Sequence, residues 1–175
     1  LFRSDFDISG LCHTTERHLH KGQTLFHLGD RVSHIYLVRQ GKIRMVRHLS
    51  DGTPVTFHQA SSDQLFAEAS LFSDTYHCDA VAEEDSLLEV YSKSELLAAF
   101  TRKPDAALAF MAHLARQIQS LRSRIEVINT KSATVRVLSY IQAAMAPDAE
   151  AMTITQPWKS VATEMGLTHE ALYRA

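Results

Sequence analysis

Apolar positions along this chain change their period twice. From residue 17 to about 92 they come in short β-rich clusters: His18-Leu19-His20, Thr24-Leu25-Phe26, Ile35-Tyr36-Leu37-Val38, Lys42 to His48, Val55-Thr56-Phe57, Asp79-Ala80-Val81-Ala82 and Ser86 to Tyr91. Lys21-Gly22, Gly29-Asp30, Gln40-Gly41, Asp51-Gly52 and Ser61-Ser62-Asp63 separate them as turn signals. Asp51-Gly52 is the clearest hairpin turn, because both residues tolerate positive φ. Ile43-Arg44-Met45-Val46-Arg47 alternates imperfectly, as a half-exposed strand does. Turn signals roughly every 8–12 residues predict an antiparallel sandwich or roll.

From residue 105 to about 131 the period lengthens. Met111, Leu114, Ile118, Leu121, Ile125 and Ile128 recur at alternating spacings of three and four. That is the a/d seam of a long helix, and it predicts a two-stranded coiled coil, hence a homodimer. Arg116, Gln117, Arg122, Arg124 and Glu126 fall off the seam. The same spacing also suits a helix laid on its own β domain. A second helix is predicted over 132–146 and ended by Pro147, followed by a short strand over Met152-Thr153-Ile154-Thr155.

The last stretch, Trp158 to Ala175, reads as a helix, a tight turn and the start of another helix. Pro157 suits an early helical position. Ala162 lets two helices pack closely, Gly166 supplies the positive φ that ends the first helix, and Thr168 is a good N-cap for the second. Leu172 should face back to the first helix. This is the spacing of a DNA-binding helix-turn-helix, whose second helix enters the major groove. The chain opens on Leu1 and stops about two turns into that second helix, so it is expected to be part of a longer protein.

Composition adds modest bounds. Hydrophobic content of 45% and charged content of 22% are ordinary for a globular protein. No apolar run reaches the roughly 18–20 residues that span a bilayer, and residues 1–10 carry no signal-peptide pattern. Cys12 and Cys78 make no disulfide framework, and a reducing, cytoplasmic setting is the simpler reading. Charge divides the chain: residues 1–100 hold 9 basic and 14 acidic side chains, residues 101–175 hold 9 and 6. A mildly basic rear fits contact with nucleic acid, although two solvated surfaces can differ this much by chance.

The order of strands, long helix and helix-turn-helix resembles the Crp/Fnr family of bacterial transcription regulators. Lys21 to Phe26 with Gly29-Asp30 looks like its early β-roll hairpin. Ile35 to Val38, Gly41 to Arg44 and Asp51-Gly52 look like its next strands. Phe66-Ala67-Glu68-Ala69-Ser70-Leu71-Phe72 is similar to the segment that walls its ligand pocket, and residues 158–174 match its reading head. The resemblance implies an α+β protein in three parts: a jelly-roll-like β-roll sensor over 1–104, a dimerisation helix over 105–131, and a truncated winged helix-turn-helix domain over 132–175. It implies double-stranded DNA with a palindromic operator, a second copy of the chain, RNA polymerase and a small-molecule effector as partners.

In cyclic-nucleotide binders of this fold, a Gly-Glu pair and, ten residues later, an Arg-Ser pair hold the ribose and the cyclic phosphate. Here Ala67-Glu68 and Cys78-Asp79 stand at those places. Arg→Cys removes the bidentate cation, and Ser→Asp adds a negative charge beside it. The dimer helix offers Leu121-Arg122 where cyclic-AMP receptors offer hydroxyls. Cyclic AMP or GMP is therefore not the expected effector of a pocket built from Glu68, Ala69, Ser70, Cys78, Asp79, Leu121 and Arg122. An iron–sulfur cluster needs four thiolates, and the chain has two. Ten histidines, among them His18, His20 and His77, leave haem or a metal open, without any recognised zinc spacing. Cys78 as a redox thiol also stays open.

In the family pattern Thr168, His169, Glu170, Tyr173 and Arg174 meet DNA. Glu170 can accept from cytosine N4, Arg174 can donate twice to guanine, Tyr173 suits a thymine methyl or a phosphate, and Thr168 caps the helix and suits a phosphate. His169 stands where the family commonly has Arg. Lys159 and Ser160 suit the DNA backbone. The alternative treats Glu170 and Arg174 as an exposed i,i+4 ion pair. Two other functions stand beside this one: a ligand-binding regulatory module that does not bind DNA, and an enzyme, for which no Ser/His/Asp order, paired carboxylates or Gly-rich phosphate loop stands out.

Overall fold

A computed structural model describes residues 6–145, 151–154 and 157–175. Eight strands come first: β1 (Thr14–Leu19), β2 (Thr24–Phe26), β3 (His34–Gln40), β4 (Lys42–His48), β5 (Pro54–Ser61), β6 (Leu65–Phe66), β7 (Asp79–Ala82) and β8 (Ser86–Ser92). A 3-10 turn, Glu68–Ser70, lies between β6 and β7. Five helices follow: α1 (Lys93–Arg102), α2 (Pro104–Asn129), α3 (Ala133–Ala144), α4 (Trp158–Glu164) and α5 (His169–Arg174). The chain forms two compact units, Phe2–Leu114 and Ala115–Ala175, and α2 runs through the boundary.

The first unit is an antiparallel β-roll of two four-stranded sheets, ordered β1-β8-β3-β6 and β2-β7-β4-β5. β3 shows why one strand reads as an unbroken apolar run. Its Tyr36 and Val38 join the core between the sheets, while Ile35 and Leu37 join a second core on the outer face. A strand covered on both sides loses its polar alternation. The second core is closed by Leu96 and Phe100 of α1, Phe110 of α2, and Phe6 and Ile8. Between the sheets, Tyr76, Phe26, Tyr36 and Phe66 stack in sequence at centroid separations of 3.7, 5.9 and 5.2 Å. The Tyr76 hydroxyl donates to the His34 carbonyl at 2.6 Å, satisfying the polar end of a buried ring.

The imperfect alternation of β4 has a local cause. Its register with β5 shifts between Met45 and Val46, where β5 carries an extra residue, and both Met45 and Val46 are buried. Asp51-Gly52 lies in the β4–β5 turn as expected, but Gly52 alone takes positive φ, +81°, while the Thr53 amide donates to the Asp51 side chain at 2.9 Å. Helix α1 is absent from the sequence reading. Its signal is Leu96, Ala99 and Phe100, buried at i, i+3 and i+4.

The strand expected over Met152–Thr155 is a correction. Residues 151–154 form no strand, and Thr155 lies outside the described residues. Local β-branched character does not suffice where no neighbouring strand pairs with it. The second helix ends at Ala144, with Met145 as its C-cap; Pro147 lies outside the described residues. Among the described residues no helix is long and apolar enough to cross a membrane.

Candidate ligand pocket and nucleic-acid interface

The segment expected to wall a ligand pocket forms a tight feature. Ala67 takes a left-handed backbone, φ +61°, and leads into the 3-10 turn Glu68–Ser70. Glu68 and Ser70 are buried, whereas Ala69 is exposed. The Ser70 hydroxyl lies 3.3 Å from His77 Nδ1, which links the turn to the entry of β7. The aromatic stack between the sheets reaches Phe66, the residue before Ala67.

Cys78 and Asp79 face different surroundings. The Cys78 side chain belongs to the core between the sheets. Burial, with a smaller contribution from the Asp79 charge, pushes its thiol up to about 11. A reactive thiol needs the opposite shift. Asp79 instead ties three strands together at its end of the second sheet. Its Oδ1 accepts from the Leu28 amide at 2.7 Å and lies 3.6 Å from His27 Nδ1, and its Oδ2 lies 3.5 Å from His48 Nδ1. His27 follows β2 and His48 ends β4, so sequence alone does not bring them to Asp79. Nearby, Arg47 Nε donates to the His77 carbonyl at 2.7 Å. Asp79 is thus a carboxylate that accepts from one amide and is flanked by two imidazoles.

Leu121 and Arg122 are exposed on the part of α2 within the second unit. A shallow depression of about 270 Å³ is lined by Phe6, Asp7, Ile8, Ser9, Leu37, Arg39 and Asp63, none of them an expected pocket residue. Among the described residues no group of three or more His, Cys, Asp or Glu is arranged to hold a metal ion. His18 is exposed on β1, and His20 lies 3.7 Å from Asp85.

Helix α2 divides the expected seam. Phe110 and His113 are buried in the first unit, and Leu114 packs against the same core. The first turns of the helix are therefore laid on their own β domain. Met111, Ile118, Leu121 and Ile125 are more than half exposed, as is Leu108, an apolar residue outside the expected set. Ile128 is 40% exposed, and its side-chain carbons pack near Gly166 in the second unit.

Helices α4 and α5 meet at a compact turn. Val161, Ala162 and Met165 are buried. Gly166 takes φ +64°, its amide donates to Thr163, and the Leu167 amide donates to the Ala162 carbonyl at 2.9 Å. These paired bonds make a Schellman C-cap. The Thr168 hydroxyl accepts from the Ala171 amide at 3.1 Å, which caps α5. Beyond it His169, Glu170, Tyr173 and Arg174 are all exposed. The His169 and Tyr173 rings meet edge to face at 4.8 Å, and Trp158 of α4 lies 6.4 Å from Tyr173. Arg174 Nε donates to the Glu170 backbone carbonyl at 3.3 Å. The Glu170 carboxyl is held below its ordinary value by its own backbone amide and the Thr168 side chain, with smaller contributions from the charges of His169 and Arg174.

Residues 16–103 match the cyclic nucleotide-binding domain model. Over 118 residues the chain is 31% identical to the cyclic AMP receptor protein of Thermus thermophilus, covering 67% of this chain and 55% of that protein. The chain thus spans little more than half of that relative's length. FixK2 from Bradyrhizobium japonicum shares the fold, with a TM-score of 0.72 over 93% of this chain and 82% of that one at 21% identity. The sensor domain of the transcriptional regulator DNR from Pseudomonas aeruginosa aligns over 70% of this chain and 81% of its own, at 26% identity and a TM-score of 0.57. The chain belongs to the cyclic nucleotide-binding domain family and is built as its Crp/Fnr-type regulators are.

Proposed function

We propose that this chain senses a signal in its β-roll, dimerises through α2 and reads a palindromic operator with α5, as a transcription regulator rather than an enzyme. The observation that carries this reading is the turn at Gly166. It joins α4, whose Val161 and Ala162 are buried, to an α5 whose His169, Glu170, Tyr173 and Arg174 are all presented outward. The exposed aliphatic side chains of α2 supply a surface for a second copy, and a two-fold axis would set two α5 helices on successive major grooves, about 34 Å apart. The effector would be something other than cyclic AMP or GMP, because Asp79 and buried Cys78 replace the phosphate-binding pair. The signal would act by shifting a population between two orientations of the reading heads, and RNA polymerase would be the downstream partner in a cytoplasmic setting.

The experiment is selection of duplexes from a random pool, followed by binding at graded salt. A palindromic sequence bound well above random duplex, with affinity falling steeply as salt rises, is expected. Equal affinity for every duplex would refute the reading.

A further inference from the structure

Arg136, near the start of α3, is used by none of the readings above. Its Nε donates to the Thr130 carbonyl, just past the end of α2. Its Nη1 donates to the Gly166 carbonyl at 3.0 Å and reaches the Met165 carbonyl at 3.4 Å. One half-buried guanidinium thus collects carbonyls from the ends of two helices, α2 and α4. Such carbonyls lack intrahelical partners and carry the negative end of the helix dipole. Only the planar fork of an arginine reaches acceptors in several directions at once, whereas a lysine offers one point charge. A second contact reinforces the joint. A Cβ on Gly166 would lie 3.5 Å from two side-chain carbons of Ile128 and 3.4 Å from Arg136 Nη1. The last turn of α2 therefore packs directly on the turn that launches α5, with Arg136 across the gap.

We infer that Arg136 is the positioning residue that sets the angle of the α4–α5 pair against the end of α2, and so fixes the half-site spacing that the protein accepts. It touches no base. It acts through the two helix ends it holds, and the reading residues of α5 follow as a rigid group. The spacing part rests on the DNA-binding reading above; the angular part does not.

Two measurements test the inference. In a background lacking Cys12 and Cys78, spin labels at the exposed positions Ser123 of α2 and Lys159 of α4 report the distance between those helices in spin-diluted protein. A single narrow distribution is expected for Arg136 and a broad one for Arg136→Gln. Arg136→Lys retains the charge and serves if the glutamine variant fails to fold. It is expected to fall between the two.

The second measurement uses the selected palindrome with its half-sites moved one base pair closer or further apart. The parent protein should prefer the native spacing by about tenfold or more, and Arg136→Gln should lose most of that preference while binding a single half-site equally well. Unaltered distances together with an unaltered spacing preference would overturn the inference. If the parent protein prefers no duplex, the DNA-binding reading fails, and the distance distributions alone decide the role of Arg136.

Discussion

Ala67 holds a left-handed backbone, φ +61°, that costs a residue with a Cβ about 1–2 kcal/mol. Glycine escapes that cost but loses about 0.5–1 kcal/mol through its freer unfolded chain. Ala67→Gly is expected to stabilise the β-roll by up to about 1 kcal/mol in urea denaturation, and a loss of stability would refute the strain. Cys78 gives a second test at this scale. An unfolded thiol ionises near 9, and the buried thiol holds its proton to about 11. Its contribution to stability is complete below pH 9 and falls as the pH rises toward 11. Native protein at pH 8 should therefore leave Cys78 unalkylated by iodoacetamide, and urea should expose it, as peptide mass spectrometry would show. Sequence reading finds the departures at Cys78 and Asp79 because they fall at fixed spacing. It misses the attachment of Asp79 to His27 and His48, which strand pairing alone brings together.

At the scale of elements, α2 changes surroundings along its length. Its early residues Phe110, His113 and Leu114 are committed to the β-roll core, and Ile118, Leu121 and Ile125 remain open. The reading of the helix as laid on its own β domain holds for these early residues, and one repeat of three and four suits a domain core and a partner helix equally, so the seam from Ile118 onward belongs to the dimer proposal. Each isoleucine kept from a dimer seam forfeits about 1.5–3 kcal/mol per protomer. Ile118→Asp is therefore expected to raise the dimer dissociation constant by about 100-fold or more, seen as monomer in sedimentation velocity with helical content retained. A variant that stays dimeric would place the interface elsewhere. The short strands and the Gly166 turn were legible because turn chemistry is local. Helix α1 was not, because its brief apolar face only acquires meaning against Phe6 and Phe110.

For the whole molecule, family membership and ligand chemistry part company. The β-roll is that of a cyclic nucleotide-binding domain, yet Cys78 and Asp79, just before and at the start of β7, stand where the resemblance sets the Arg-Ser pair of a phosphate site. A site of micromolar affinity would add roughly 4 kcal/mol of stability at 1 mM ligand. Cyclic AMP at that concentration is expected to leave the melting temperature unchanged, and a clear upward shift would restore the cyclic-nucleotide reading. One feature of the architecture bears on life at high concentration. β5 pairs with β4 on one side, and among the described residues no strand takes its other side. Val55 and Phe57 are exposed along it. Its open amides and carbonyls are a template for a foreign strand. Pro54 withholds a donor at its start, and the register shift near Phe57 interrupts a flat edge. Along this edge, one proline and one extra residue are what stand against pairing with a second copy in a crowded solution.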